Sequence, residues 1–315
     1  MLNLVRNENM KVYQRLRTWI LILLLVTFVG LITMMGKSGN PSSLSGDEWK
    51  ADLQSSIQMY EQTLADPDMP ALAKGEIVNQ LAISKYSLEN NIPPLRNTMW
   101  GGVKESAGLI MLVTLFTVII AGDMVAGEFT WGTIKLLLIR PASRAKILLS
   151  KYLSTLLFSL VLLLVLLVSA VLFNGFAYGF KDIGLPYLHA TSEGVVQESN
   201  VLLHILNTYA LKVVELIMVV TLALMISTVF RSSSLAIGIS IFIMFAGQGI
   251  TALLVLKYSW AKYFLFANTD LTQHIEGRPI MEGMTMGFSV TVLLVYFIIF
   301  NVLSWTIFQK RDVAA

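Results

Sequence analysis

The sequence predicts an all-α polytopic membrane protein, and three observations support this fold class. Of the 315 residues, 55% are hydrophobic and only 14% are charged, whereas soluble domains carry about 25% charged residues. The mean hydropathy is +0.69. Six apolar segments are long enough to cross the hydrocarbon core of a bilayer, which takes about 20 residues in a helix.

The distribution of lysine and arginine predicts the orientation of these spans. The spans are residues 18–35, 103–122, 152–178, 209–230, 234–256 and 287–308. Basic residues concentrate before the first span, between the second and third, between the fourth and fifth, and in the tail 309–315. An even number of spans puts all four segments on one side of the membrane, and that side is expected to be the cytoplasm.

Residues 1–17 mix basic side chains with apolar ones at helical spacing. This pattern is typical of an amphipathic helix that lies among the lipid headgroups. The alternative is a basic segment that only fixes the topology.

Three segments are expected on the outer side. Residues 36–102 contain two amphipathic helical patterns separated by Asp66-Pro67-Asp68-Met69-Pro70, which predicts an extracytoplasmic helical hairpin. Residues 179–208 form a polar loop. Residues 257–286 are too apolar for a free loop, so short re-entrant or interfacial helices are expected there.

The segment 123–151 mixes basic with apolar residues, whereas a simple connection between two spans needs only a few polar residues. Pro141 divides it into two helical pieces, and Ser143 is placed to cap the second. We expect Glu128 near the start of the first piece and Arg140 at its end, where the helix dipole favours each charge. A segment that merely lies on the membrane surface is the alternative.

The sequence lacks the motifs of nucleotide-binding proteins, metalloenzymes and cysteine-dependent enzymes. Gly36-Lys37-Ser38 resembles the end of a phosphate-binding loop, but Leu31 stands where that loop needs glycine. The histidines lie far apart along the chain, and there is no cysteine. We therefore expect a chain that is not an enzyme and holds no cofactor or metal. The net charge is only +3, and the basic residues concentrate in the segments that flank spans. A nucleic-acid partner is therefore not expected.

Polar and small residues within spans raise two further expectations. Asp123 and Glu215 lie near span ends, so interfacial placement with local charge pairing is expected of both. Gly238, Gly247 and Gly249 allow close helix approach in the fifth span, and Gln248 could hydrogen-bond there or line a path. Packing within one bundle and a subunit interface both remain open for these four residues.

Several of these segments resemble the permease subunits of ABC-2 type ABC exporters, a bacterial family. The most specific match is GEFTWGTIKLLLIRPASRAKILLSKYL at 127–153. The others are Asn7-Glu8-Asn9 with Lys11, Arg15 and Arg17 before the first span, Lys262-Tyr263 with Asn268-Thr269-Asp270-Leu271, and Phe308 with Lys310-Arg311-Asp312. The resemblance covers the six-span body and leaves out 36–102.

The resemblance implies a mechanism and partners. Two permease subunits, identical or different, would pair in the bacterial plasma membrane among its lipids, and each would engage a separate cytoplasmic ABC ATPase subunit that binds the ATP. Residues 1–17 would be the connecting helix, and 123–151 would carry the coupling helix. The implied ATPase-coupling residues are Glu128, Phe129, Thr130, Trp131, Gly132, Thr133, Lys135 and Arg140. Polar contacts would come from Glu128 and Arg140, and Phe129 and Trp131 would anchor the helix.

A second class of function stays open. The chain could be a membrane sensor, or a carrier or channel that works without ATP, with the extracytoplasmic segment binding a ligand. Capture of an ATPase partner would separate the exporter from these alternatives.

Overall fold

The computed structural model describes residues 1–39, 48–66, 71–134, 142–180, 183–190, 195–277 and 279–310. Six of its helices are long and apolar enough to cross a membrane. The predicted fold class is thus confirmed, and the protein is an all-α multi-pass membrane protein with one small β-hairpin added.

The helices and strands follow one another in this order. The N-terminal half contains α1 (Leu2–Tyr13), α2 (Leu16–Gly39), α3 (Glu48–Leu64), α4 (Ala71–Glu89), α5 (Met99–Ser106) and α6 (Ile110–Thr130). The remainder contains α7 (Arg144–Tyr178), β1 (Pro186–Ala190), β2 (Val196–Asn200), α8 (Val201–Val229), α9 (Ser233–Val255), α10 (Leu265–Asn268), α11 (Thr272–Ile275) and α12 (Met286–Lys310). Short 3₁₀ helices occupy Ala107–Leu109 and Ser259–Tyr263.

Helix α6 forms the centre of the bundle, where it packs against α7, α8 and α9. In the most apolar stretch of Met99–Thr130, 78% of the residues are buried, compared with 17% in α2, α9 and α12. These three peripheral helices expose large apolar side chains such as Leu23, Phe242 and Leu294. Such exposure suits a helix whose outer face meets lipid rather than water.

A close helix contact fixes the start of the second span. Thr98 caps α5 by accepting a hydrogen bond from the Gly101 N–H at 3.1 Å. A Cβ at Gly102 would lie 1.9 Å from Oδ1 of Asn174 in α7, so no side chain fits between the two helices there. Lys104 lies on the same short helix, just after residues 36–102, which we call the insertion.

The insertion and the loop after α7 meet at this end. Helices α3 and α4 pack together, with an exposed ion pair of 2.7 Å between Lys85 and Glu61. Strands β1 and β2 pair antiparallel, with Pro186 opposite Asn200. The phenol of Tyr86 in α4 donates to Glu198 in β2 at 3.0 Å. The hairpin was not predicted, since the sequence indicated only a polar loop.

The segment between α9 and α12 contains short helices and is tied to α8. The Asn268 amide donates to the Lys262 carbonyl at 2.7 Å. Lys212 of α8 forms ion pairs with Glu215 at 2.8 Å and with Asp270 at 2.9 Å. Burial would raise the pKa of Asp270, but the charge of Lys212 and hydrogen bonds from Thr272 outweigh it and lower the pKa. The local pairing expected for Glu215 is confirmed.

Candidate functional site

The amphipathic N-terminal helix α1 packs against the first turns of α7 and buries one face of its own. That face contains Val12, which joins the hydrophobic core, and Glu8, which is a carboxylate. A turn at Gln14 and Arg15 then leads into α2. The helix therefore brings an acidic group into the protein beside the ends of several spans.

Lys151 is the buried partner of this carboxylate. Its ammonium lies 2.8 Å from Oε2 of Glu8 and 2.8 Å from Oε1 of Glu128, and its side chain is only 2% exposed. Lys11 closes the square from the other side, 3.1 Å from Glu8 and 2.9 Å from Glu128. Thr133 donates a further hydrogen bond to Glu128. Two lysines and two carboxylates thus neutralise one another, as buried charges must.

The neighbouring carboxylates raise the pKa of Lys11. Burial alone would lower its pKa, but the hydrogen bond to Glu128 and the charges of Glu8 and Glu128 outweigh burial and raise it. The ammonium is therefore firmly charged at neutral pH. We call Glu8, Lys11, Glu128 and Lys151 the charged square.

A second buried acid lies one turn earlier on α6. Asp123, 4% exposed at its side chain, pairs with both Arg15 and Arg17 and accepts a hydrogen bond from Ser233, the first residue of α9. The local pairing expected for Asp123 is confirmed. It joins the connection between α1 and α2 to the start of the fifth span.

Ser227 fixes the same stretch of α6 from the side of α8. Its hydroxyl accepts hydrogen bonds from the N–H groups of Val125 at 3.1 Å and Ala126 at 3.0 Å, and it donates to the Gly122 carbonyl at 2.7 Å. All of these groups are buried. The last turns of α6 are therefore bonded to α1, α7, α8 and α9 at once.

These charges line a cavity of about 350 Å³. Its charged walls carry three acids and four bases, which gives one formal positive charge in excess. These residues are Glu8, Asp123 and Glu128, and Lys11, Arg15, Arg17 and Lys151.

The structure corrects the predicted position of Glu128. We expected it near the start of a separate helix, but it lies two residues before the C-terminal end of α6, which continues through Thr130. The dipole at that end disfavours an acid, and the lysines of the charged square compensate for it. The prediction was wrong because apolar residues on both sides of Asp123 let the span helix run on.

The other predicted coupling residues differ in their surroundings. Phe129 packs against the hydrophobic core, while Trp131 is 73% exposed at the rim of the cavity. The Thr130 hydroxyl accepts a hydrogen bond from the Ser233 N–H at 3.0 Å. Gly132 has a φ of 69°, which favours glycine, and turns the chain after α6.

The second half of the predicted segment is only partly described. Thr133 contacts Glu128 as noted, and Lys135, Arg140 and Pro141 lie outside the described residues. Ser143 caps the next helix as predicted, by accepting a hydrogen bond from the Lys146 N–H. That helix is not separate, because it continues as the 35-residue α7.

The small residues of the fifth span do not form one packing surface within the chain. A Cβ at Gly247 would lie 2.1 Å from the ring of Phe266, so this glycine serves a close internal contact. Gly238 and Gly249 are exposed, with nothing within 4 Å of an added Cβ. Gln248 is half-buried. A contact between these open positions and a second subunit stays a prediction.

Sequence reasoning missed Glu8 and Lys151 as a pair, because 143 positions separate them. A signal for each was present. Glu8 precedes Val12 by four residues and therefore shares its apolar face, and Lys151 lies four residues after the buried Ile147. A charged residue on the buried face of an amphipathic pattern is the sign of an internal partner.

The fold and this site define a six-span membrane protein whose N-terminal helix is held to the ends of several spans by buried charges. The chain belongs to the family described as Protein of unknown function (DUF2705), whose model matches residues 75–314. That range includes Asp123, Glu128 and Lys151 and excludes α1.

Two Bacillus subtilis (strain 168) proteins are similar to the chain. Uncharacterized protein YhcI is 42% identical over 318 residues, which covers 100% of both chains. Uncharacterized membrane protein YdbK is 33% identical over 242 residues, which covers 75% of this chain and 89% of YdbK.

Proposed function

We propose that this chain is the permease subunit of an ATP-driven ABC-2 type exporter in a bacterial plasma membrane, with both termini in the cytoplasm. Two such subunits, identical or different, would form the path, and separate ABC ATPase subunits would bind and hydrolyse the ATP. The sequence resemblance at 127–153 suggests the class. The charged square is the observation that carries the proposal.

The charged square supports it because the two segments expected to meet an ATPase are one mechanical unit. Helix α1 and the stretch 128–133 share the same buried ion pairs, and these pairs also include Lys151 at the start of the third span. A force on either segment therefore acts on α6 and α7 together. Movement of an ATPase on the cytoplasmic side would then rotate span ends as a body, which is a common form of transporter switching.

This geometry changes the role we propose for Glu128. Its carboxylate is 12% exposed and is occupied by Lys11, Lys151 and Thr133. We propose that Glu128 positions the coupling surface, while the exposed Trp131 touches the ATPase. Arg140 and Lys135 keep their proposed contacts with that partner.

Site-specific photocrosslinking tests the proposal. We would place p-benzoylphenylalanine at position 131 in cells, and at Trp260, which is 50% exposed in the segment after α9, as the matched control. The expected adduct at 131 is a polypeptide that carries ATP-binding motifs and copurifies as an active ATPase. Absence of such an adduct at 131, or the same adduct at 260, would contradict the proposal.

A second candidate function is favoured by cavities at the opposite end of the bundle, lined by the insertion and the β-hairpin. They suit a membrane sensor that binds a ligand outside the cell. A chain that binds such a ligand and yields no ATPase adduct at position 131 would favour the sensor.

A further inference from the structure

The charges that line the cavity beside α1 do not cancel, and the excess falls on two arginines. The charged square is neutral, because its two lysines match its two carboxylates. The remaining charged walls of the cavity are Asp123, Arg15 and Arg17. One carboxylate therefore faces two guanidinium groups, and the net positive charge of the cavity lies where α1 leads into α2.

These two arginines have donors to spare. A guanidinium carries five N–H donors. Within the described chain, Arg15 donates through Nη1 and Arg17 through Nη2, both to the same oxygen of Asp123. Nε of Arg17 is buried and has no hydrogen-bond partner among the described residues. Buried polar atoms are normally paired, so an oxygen of a ligand would complete this one.

Both arginines can be reached from outside the protein at the level of the lipid headgroups. The side chains of Arg15 and Arg17 are 41% and 36% exposed. They lie at the end of the first span, which begins at Leu16. Long basic side chains at a span end extend to the membrane interface. A guanidinium there can bind a phosphate through two parallel N–H groups.

An exposed apolar stripe leads away from Arg17 along α2. Its members recur every three or four residues, so they lie on one side of the helix. They are Ile20, Leu24, Phe28 and Leu31, each at least 40% exposed. A molecule with a phosphate at the arginines and a hydrocarbon chain along this stripe would satisfy both surfaces.

We propose that Arg15 and Arg17 bind the headgroup of an anionic phospholipid, whose acyl chain lies along the stripe on α2. The phosphodiester of such a lipid carries one negative charge, which matches the net positive charge of the cavity. A zwitterionic lipid matches it less well, because its headgroup also brings a cation towards the arginines. The site goes beyond the proposed exporter function and is independent of it, since lipid binding requires no ATPase.

Native mass spectrometry of the purified full-length chain in detergent tests the site by counting bound lipids. The probes are dioleoylphosphatidylglycerol and dioleoylphosphatidylcholine, which share their acyl chains and differ in headgroup charge. We expect phosphatidylglycerol to bind about tenfold more tightly than phosphatidylcholine. Equal affinity for the two lipids overturns the proposal. Phosphatidylglycerol that binds the monomer but is lost from a dimer also overturns it, because a second copy would then cover the stripe.

Variants locate the binding. Arg17→Gln removes one guanidinium while Arg15 still pairs with Asp123, and it should weaken phosphatidylglycerol by about tenfold but leave phosphatidylcholine unchanged. Arg231→Gln is the matched control, because Arg231 is exposed beside the end of α6 and does not line the cavity. Arg15→Gln, which leaves Arg17 on Asp123, repeats the test if Arg17→Gln does not fold. Phosphatidylglycerol affinity equal to that of the control variant refutes the assignment.

Inorganic phosphate distinguishes a lipid from a free anion. A ligand that binds only the folded state raises Tm. Phosphatidylglycerol should raise the Tm of the wild-type chain more than that of Arg17→Gln, whereas inorganic phosphate at about 10 mM should leave both unchanged. An equal rise with inorganic phosphate identifies a free anion as the ligand and overturns the lipid site.

Discussion

Replacement of Lys151 by methionine is the sharpest test of the charged square. The substitution keeps the length of the side chain and removes its charge. Glu8 and Glu128, with side chains 6% and 12% exposed, would then share one lysine, Lys11, which is 35% exposed. The square would change from neutral to one net negative charge in a buried place.

The expected loss of folding stability follows from the burial of the ion pairs that Lys151 makes. Breaking a buried ion pair by removal of one partner costs about 3–5 kcal/mol. Lys11 still reaches both carboxylates, so we expect the lower end of that range, about 3 kcal/mol. At about 2 °C per kcal/mol for a chain of this size, Tm should fall by roughly 6 °C.

The assay is thermal unfolding in detergent, followed by intrinsic tryptophan fluorescence. Lys85→Met is the matched control, because Lys85 pairs with Glu61 while both side chains are about half exposed, 48% and 51%. An exposed pair contributes about 0–1 kcal/mol, so Tm should fall by no more than about 2 °C.

A double-mutant cycle isolates the charge effect. Glu8→Gln in the Lys151→Met chain removes one of the two carboxylates that share Lys11, and the square is then neutral again. We expect it to recover about 1 kcal/mol or more of the loss, while Glu8→Gln alone destabilises the protein. If Lys151→Met and Lys85→Met lower Tm equally, or Glu8→Gln recovers nothing, the square does not hold the helices as argued.

Two further predictions concern packing and topology. Gly247→Leu should destabilise by about 1–3 kcal/mol because its side chain would strike the ring of Phe266, whereas Gly249→Leu, in open space, should leave Tm unchanged; equal Tm values would contradict the packing. The chain has no cysteine, so single cysteines report sidedness without background. An impermeant maleimide applied to intact cells should label Ser55→Cys and spare Trp131→Cys until the membrane is opened, and the reverse pattern would invert the proposed orientation.

The features of the fold that could be predicted depend on residues close together in the chain. The six spans follow from runs of apolar residues, since a backbone in lipid must satisfy its hydrogen bonds within a helix. The cap at Ser143 and the buried Val12 on α1 follow from neighbours within four residues. The β-hairpin was missed because its pairing of Tyr187 with Ser199 depends on cross-strand contact, and its polar residues carry no strand pattern.

The predictions for the candidate site also divide into local features that the sequence showed and distant contacts that it did not. The sequence determined that a basic amphipathic helix precedes the first span, that a motif with Glu128 and Trp131 follows the second, and that Asp123 needs a partner. Only the tertiary structure decided that Glu128 faces inward to Lys11 and Lys151 while Trp131 faces outward. The physical reason is range: hydropathy and capping act within a few residues, whereas a buried charge selects its partner by proximity in space. The Lys151 partner in α1 is 143 residues away along the chain.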